Sequence, residues 1–158
     1  MNNIQLKPFF ACLFVSVGTG VLATLFTKST LDLYLGAARP ALFPPAFLFP
    51  LIWGVLFMLA GFGLYLIFIS GAETRLRSAA IDSYMLQLAA GFMWSIIFFN
   101  LRSFGFASIW LVLMLGLLLY TMHTFRRISC TAALLLIPYL LWILFTGYLS
   151  FAVWLRSA

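Results

Sequence analysis

The chain has 158 residues, 65% of them hydrophobic and 8% charged, with a mean hydropathy of +1.15. A soluble domain is about half apolar and a quarter charged, so this chain has too little polar surface to meet water. It reads as an integral membrane protein. Nine Lys and Arg against three acids give a net charge of +6, but the bases sit singly or in pairs at span ends, where they snorkel toward headgroups. No basic stripe of the kind nucleic acid requires is present.

A membrane helix takes about 20 apolar residues, so the chain has room for about five spans and no soluble domain beside them. In lipid the backbone must satisfy its own hydrogen bonds, which leaves helices or a closed barrel. A barrel alternates polar and apolar residues, whereas "FASIWLVLMLGLLLYTMHTF" is apolar throughout. The expected fold is an all-α integral membrane protein, a bundle of five transmembrane helices in one domain over 1–158.

In chain order, the first span is 8–26. Lys7 before it and "GVLA" at its end also resemble a signal peptide, but the run is long for one. The segment 27–44, "TKSTLDLYLGAARPALFP", carries Lys28, Asp32 and Arg39 and is expected to be a loop. The second span is 45–70, closed by "SGAETRLRS", the densest charge in the chain. Spans three to five are 79–101, 105–125 and 130–155, joined by the short "NLRSFG" and "RRIS", which implies neighbouring antiparallel helices. One side would carry Lys7, Arg75, Arg77, Arg126 and Arg127, and the other Lys28, Arg39, Arg102 and Arg156. That division leans only weakly toward a cytoplasmic N-terminus.

Little here suits catalysis. Asp32, Glu73 and Asp82 lie in or beside loops, and His123 is the only histidine. No paired acids, metal-ligand spacing or Ser/His/Asp set can be drawn, so neither catalytic nor metal residues are assigned. Ion coupling needs charge at membrane depth, and the spans offer hydroxyls and Gln87 instead. Cys12 and Cys130 have no CxxC partner and read as small apolar residues.

Aromatic residues are the rich feature, with 18 Phe, 6 Tyr and 5 Trp. The plain reading is an interfacial belt. The spacing partly resists it. Phe49, Trp53 and Phe57 recur every four residues; Gln87, Gly91, Trp94 and Phe98 share one face; Tyr139, Trp142, Thr146 and Leu149 form another stripe. Trp53, Trp94 and Trp142 fall well inside spans, where an indole N–H seeks a partner, so packing, lipid and ligand all stay open. Pro138 removes a backbone hydrogen bond in span five and is expected to kink it.

Three stretches resemble the TspO/translocator protein family, the tryptophan-rich sensory proteins: "Y-x-x-x-x-R-P-x-x-x-P-P-x-x-x-x-P-x-x-W-x-x-L-F" at 34–57, "Q-x-x-x-x-x-x-W-x-x-x-F-F" at 87–99 and "P-Y-L-x-W-x-x-x-x-x-x-L-S" at 138–150. The resemblance implies a five-helix bundle, often a homodimer, around a pocket for hydrophobic small molecules. The family binds porphyrins such as protoporphyrin IX, with no other cofactor required, and roles in tetrapyrrole handling, stress sensing and transport follow from it. It places ligand contacts at Tyr34, Arg39, Pro44, Pro45, Phe49, Trp53, Phe57, Gln87, Gly91, Trp94, Phe98, Trp142 and Thr146. It also makes 27–44 a lid over the bundle mouth, with Pro44 and Pro45 suited to a helix's first turn and Arg39 near a propionate or snorkelling. The lipid bilayer is the other partner, and a bacterial membrane, inner or outer, is the expected location.

The chain departs from the family pattern at several points. Leu33-Tyr34 replaces Trp-Tyr, Leu42 a tryptophan, Gly91 an asparagine and Thr146 an alanine, and Ser150 and Ser157 stand where asparagines are common. A sterol-contact pattern near the C-terminus is absent, because Tyr148 is too far from Arg156. Two other readings compete with binding: light-dependent porphyrin breakdown, and a membrane assembly partner that takes no ligand.

Overall fold

The structure is a computed structural model. It describes the backbone of residues 5–37 and 47–157, and the side chains of these except 28–37, 49, 156 and 157. Arg39, Pro44 and Pro45 lie outside the described residues, as do the side chains of Tyr34 and Phe49.

Among the described residues the elements are α1 (Leu6–Ala37), α2 (Leu48–Phe68), α3 (Thr74–Ser95), a π-helical turn (Ile96–Asn100), α4 (Phe104–Arg126), α5 (Cys130–Leu134) and α6 (Ile137–Ser157). Five stretches are long and apolar enough to cross a membrane, with α5 and α6 together forming the last. The chain is therefore an all-helical membrane protein.

Three boundaries differ from the hydropathy reading. The α1 helix runs to Ala37, through "TKSTLDLYLGA", and includes Leu6–Thr27, a stretch long and apolar enough to cross a membrane. Charge removes a segment from hydrocarbon without forbidding helix, and nothing before Gly36 and Pro40 breaks one. For the same reason α3 begins at Thr74, inside the charged segment. The last span is interrupted at Leu135–Leu136, and Pro138 falls in the first turn of α6, where its missing N–H costs nothing.

The spans close into a ring. α1 packs along α2, α2 against α5 and α6, α6 along α4, α4 along α3, and α3 returns to α1. Outward faces are large and apolar, as at Phe14, Ile109, Val112 and Leu155, which suits lipid. Inward lie Trp94, Tyr84, Met114, Leu118, Phe125 and Leu136. Trp110 Nε1 donates to the Ala90 carbonyl at 2.9 Å, tying α4 to α3.

Hydroxyls in the helices mostly satisfy themselves. Thr19, Thr24, Thr27, Ser95, Ser108 and Thr121 each donate to the carbonyl four residues back, which spares the bundle an unpaired polar group in an apolar setting. At the Lys7 end, Ser16 Oγ donates to the Cys12 carbonyl at 2.9 Å and shares a 2.7 Å bond with the Tyr84 hydroxyl. Gly61 faces this pair: a Cβ there would lie 3.2 Å from the Cys12 carbonyl oxygen and 3.0 Å from Ser16 Oγ. Backbone cannot yield as a side chain can, so Gly61→Val should prise α1 from α2 and cost about 1–3 kcal/mol. Thermal unfolding in one detergent measures it, and an unchanged midpoint would contradict this close crossing.

Candidate functional site

Aromatic side chains from α2, α3 and α6 converge in the middle of the ring. On α2, Trp53 and Phe57 are one turn apart and stack at 5.5 Å and 29°. On α3, Trp94 stacks on Phe98 at 5.1 Å and 26°. The two pairs meet: Trp53 lies 6.3 Å from Trp94 at 30°. Tyr139 of α6 closes the group, edge-on to Trp53 at 5.8 Å and tilted to Phe57 at 6.3 Å. These offset and edge-on arrangements are the ones that aromatic quadrupoles favour.

The π-helical turn sets the far end of this cluster. Leu101 donates to the Ile96 carbonyl, one residue beyond the α-helical register, and Arg102 then takes φ 51° to turn the chain toward α4. The extra residue carries both Phe98 and Phe99 inward, so that Phe99 meets Trp94 edge-on at 6.0 Å. Single π turns of this kind recur where a helix serves a site.

A cavity lies between this cluster and α1. Its α1 wall is small: Thr19, Gly20, Ala23, Thr24 and Thr27. Opposite stand Pro50, Trp53 and Phe57 of α2, and Gly91, Phe92, Trp94 and Ser95 of α3, with Phe99 at the end. The cavity measures about 50 Å³. A groove of about 250 Å³ adjoins it between α1 and α2, sharing Gly20, Thr24, Pro50, Trp53 and Phe57.

Behind Gly91 the polarity changes. A Cβ on Gly91 would lie 3.5 Å from the Tyr139 hydroxyl and 3.6 Å from Met114, so an alanine fits and anything longer must displace one of them. Gln87, one turn earlier, sits beside that hydroxyl. Neither the Gln87 amide nor the Tyr139 hydroxyl finds a well-formed hydrogen bond, and Trp94 Nε1, Thr146 Oγ1 and Ser150 Oγ are likewise buried with no protein partner. Such groups are uncommon in a folded interior and each needs a reason. The contrast with the back-bonded threonines of α1 is sharp.

The structure thus brings together Trp53, Phe57, Gly91 and Trp94 on one cavity wall. Phe98 lies beneath Trp94, and Gln87 lies behind Gly91. Trp142 and Thr146 are on α6 and do not line the cavity; half-buried Trp142 packs against Phe145 at 5.3 Å. Tyr139 and the small α1 residues join the site without having been singled out for it. Tyr139 belongs to the aromatic stripe that the sequence spaces along α6. The α1 wall has no ring or charge to announce it, only the spacing of Gly20, Ala23, Thr24 and Thr27.

The TspO/MBR family matches residues 10–155. The chain belongs to this family. It is 35% identical over 122 residues to a translocator protein of Homo sapiens, covering 77% of this chain and 72% of that one. It is 32% identical over 161 residues to a tryptophan-rich protein TspO of Archaeoglobus fulgidus, covering 100% of both. A tryptophan-rich protein TspO of Chlorobaculum tepidum is 30% identical over 152 residues, with 96% of each chain covered.

Proposed function

We propose that this TspO/MBR-family protein binds porphyrin-like or other flat, hydrophobic molecules in the cavity bounded by α1, α2 and α3, in a tetrapyrrole-handling or stress-sensing role. The observation that carries the reading is the Trp53–Trp94 stack beside the unpartnered Gln87 amide and Tyr139 hydroxyl. Flat rings offer area to a macrocycle, and buried groups lacking a partner gain most from a ligand that brings one. A ligand edge bearing a carboxylate or carbonyl over Gly91 would meet both.

Drug-sized ligands occupy about 300–1,000 Å³, so the 50 Å³ cavity must widen to take one. α1 is the wall that yields. It is the least buried of the spans: within Leu6–Thr27 only Cys12, Ser16 and Thr27 are buried. Its inner face offers small side chains whose hydroxyls are already bonded to their own helix, so moving it breaks few polar ties.

The test is a titration of purified protein with protoporphyrin IX, following tryptophan emission and the Soret band in the dark and then in light. Saturable quenching is expected, with affinity falling about tenfold or more in Trp53→Ala, the usual cost of losing a central aromatic contact. Trp142→Ala should bind nearly as the unsubstituted protein does. Loss in Trp142→Ala but not Trp53→Ala would move the ligand to the α6 side and overturn this cavity. A Soret band that stays constant in light and oxygen separates binding from photo-oxidation.

A further inference from the structure

The α1–α2 groove and the inner cavity adjoin, and the Phe57 ring lines both. The two spaces share Gly20, Trp53 and Phe57, while Val21, Leu25 and Gly54 line the groove alone. Val21 and Leu25 are exposed on the lipid-facing side of α1. The groove is therefore a side opening toward the bilayer, not toward either aqueous face.

Two glycines shape this opening in opposite ways. At Gly20 the Phe57 ring rests directly on the α1 backbone: a Cβ there would come 2.5 Å from the ring edge. At Gly54, one turn before Phe57, a Cβ would meet nothing within 4 Å. The ring thus closes the passage from one side, and Gly54 leaves its outer part clear. The polar and backbone approaches between α1 and α2 lie at other levels, where the Gln5 amide donates to the Tyr65 hydroxyl and Gly61 meets Cys12. At the Phe57 level the contact is ring on glycine, which a side-chain rotation can undo.

Taking the binding reading above as given, we propose that this gap is a lateral portal. A flat, mostly apolar molecule dissolved in the bilayer passes between α1 and α2 into the cavity, admitted when the Phe57 ring swings off Gly20. A gate differs from a binding contact in its kinetics. It alters the barrier common to entry and exit, so it scales both rates together and leaves the equilibrium alone.

Gly54→Phe fills the outer groove from a position that does not itself line the cavity, and Val21→Phe narrows the same gap from α1. Both are tested in lipid nanodiscs with protoporphyrin IX, reading association by stopped-flow tryptophan quenching and dissociation by chase. Each variant is expected to slow kon and koff by a common factor of about ten, within the range by which conformational gating reduces association. Kd should stay within about twofold, since only the barrier has changed. Gly54→Ala should bind at the unsubstituted rates, and melting temperature identifies a variant that fails to fold. Unchanged rates in both Phe variants would overturn the portal and leave the cavity standing. A weaker Kd with kon unchanged would make the groove part of the binding site, and would also overturn it. No saturable binding by the unsubstituted protein would remove the binding reading, and the portal with it.

Discussion

Gln87→Leu should make the protein more stable and a poorer binder at the same time. Gln87 is buried beside Tyr139, one turn before Gly91, and both ends of its amide lack a protein hydrogen bond. A leucine has nearly the same volume and no polar atoms to desolvate. Leaving a buried amide unpaired costs about 1–3 kcal/mol, and in membrane bundles polar contacts sit at the lower end of such ranges. The variant is expected to unfold at a midpoint higher by a few degrees, about what 1 kcal/mol supplies for a chain of this size. Its affinity for protoporphyrin IX should fall about tenfold, the effect of losing one hydrogen bond to a charged ligand group. Parallel melting and titration in one detergent read both. A drop in stability would mean that the Gln87 and Tyr139 groups sustain each other without a ligand, and the polar half of the proposed site would then lose its support.

That opposition between stability and binding also explains which parts of the site the sequence could announce. Trp53 and Phe57, or Trp94 and Phe98, declare themselves because rings four apart on an apolar helix share one face, and the stacks at 5.5 and 5.1 Å follow from that spacing. Gln87 stands out as an amide in hydrocarbon. The α1 wall is silent for the opposite reason: Gly20, Ala23 and Thr24 act by being small, and smallness leaves no chemical signature. The π turn at 96–100 was illegible too, since one extra residue in a helix changes neither hydropathy nor composition. Hydropathy finds immersion in lipid rather than helix, which is why it locates the five spans yet leaves the end of α1 at Ala37, about three turns beyond Phe26, out of reach. Spacing could assign Trp142 to a face of its helix, but not decide which neighbour that face would meet.

The largest single effect is expected at Trp94. Its side chain is 1% exposed and is held on three sides, by Phe98 at 5.1 Å, Trp53 at 6.3 Å and Phe99 edge-on at 6.0 Å. Removing an indole from such a place leaves a cavity that the surrounding rings can fill only by leaving their own contacts. In soluble cores Trp→Ala costs about 3–5 kcal/mol, part transfer and part cavity. In a bilayer the transfer part shrinks, because lipid is as apolar as the core, whereas the lost dispersion contacts remain. Trp94→Ala should therefore lose about 2–4 kcal/mol, seen as the largest fall in melting midpoint among the cluster's alanine variants. Trp94→Phe separates ring from N–H. It keeps a stacking face for Phe98 and Trp53 and deletes a buried donor that has no protein partner, so it should recover more than half of the stability. Protoporphyrin IX affinity should follow a different order, with Trp94→Phe intermediate and Trp94→Ala weakest, if the indole face is what the macrocycle meets. A Trp94→Ala protein that melts within about a degree of the unsubstituted one, too small a shift for even 1 kcal/mol, would show that the stack contributes nothing to the bundle. The rings would then be free to part, and the closed cavity would be one of several arrangements of the same side chains.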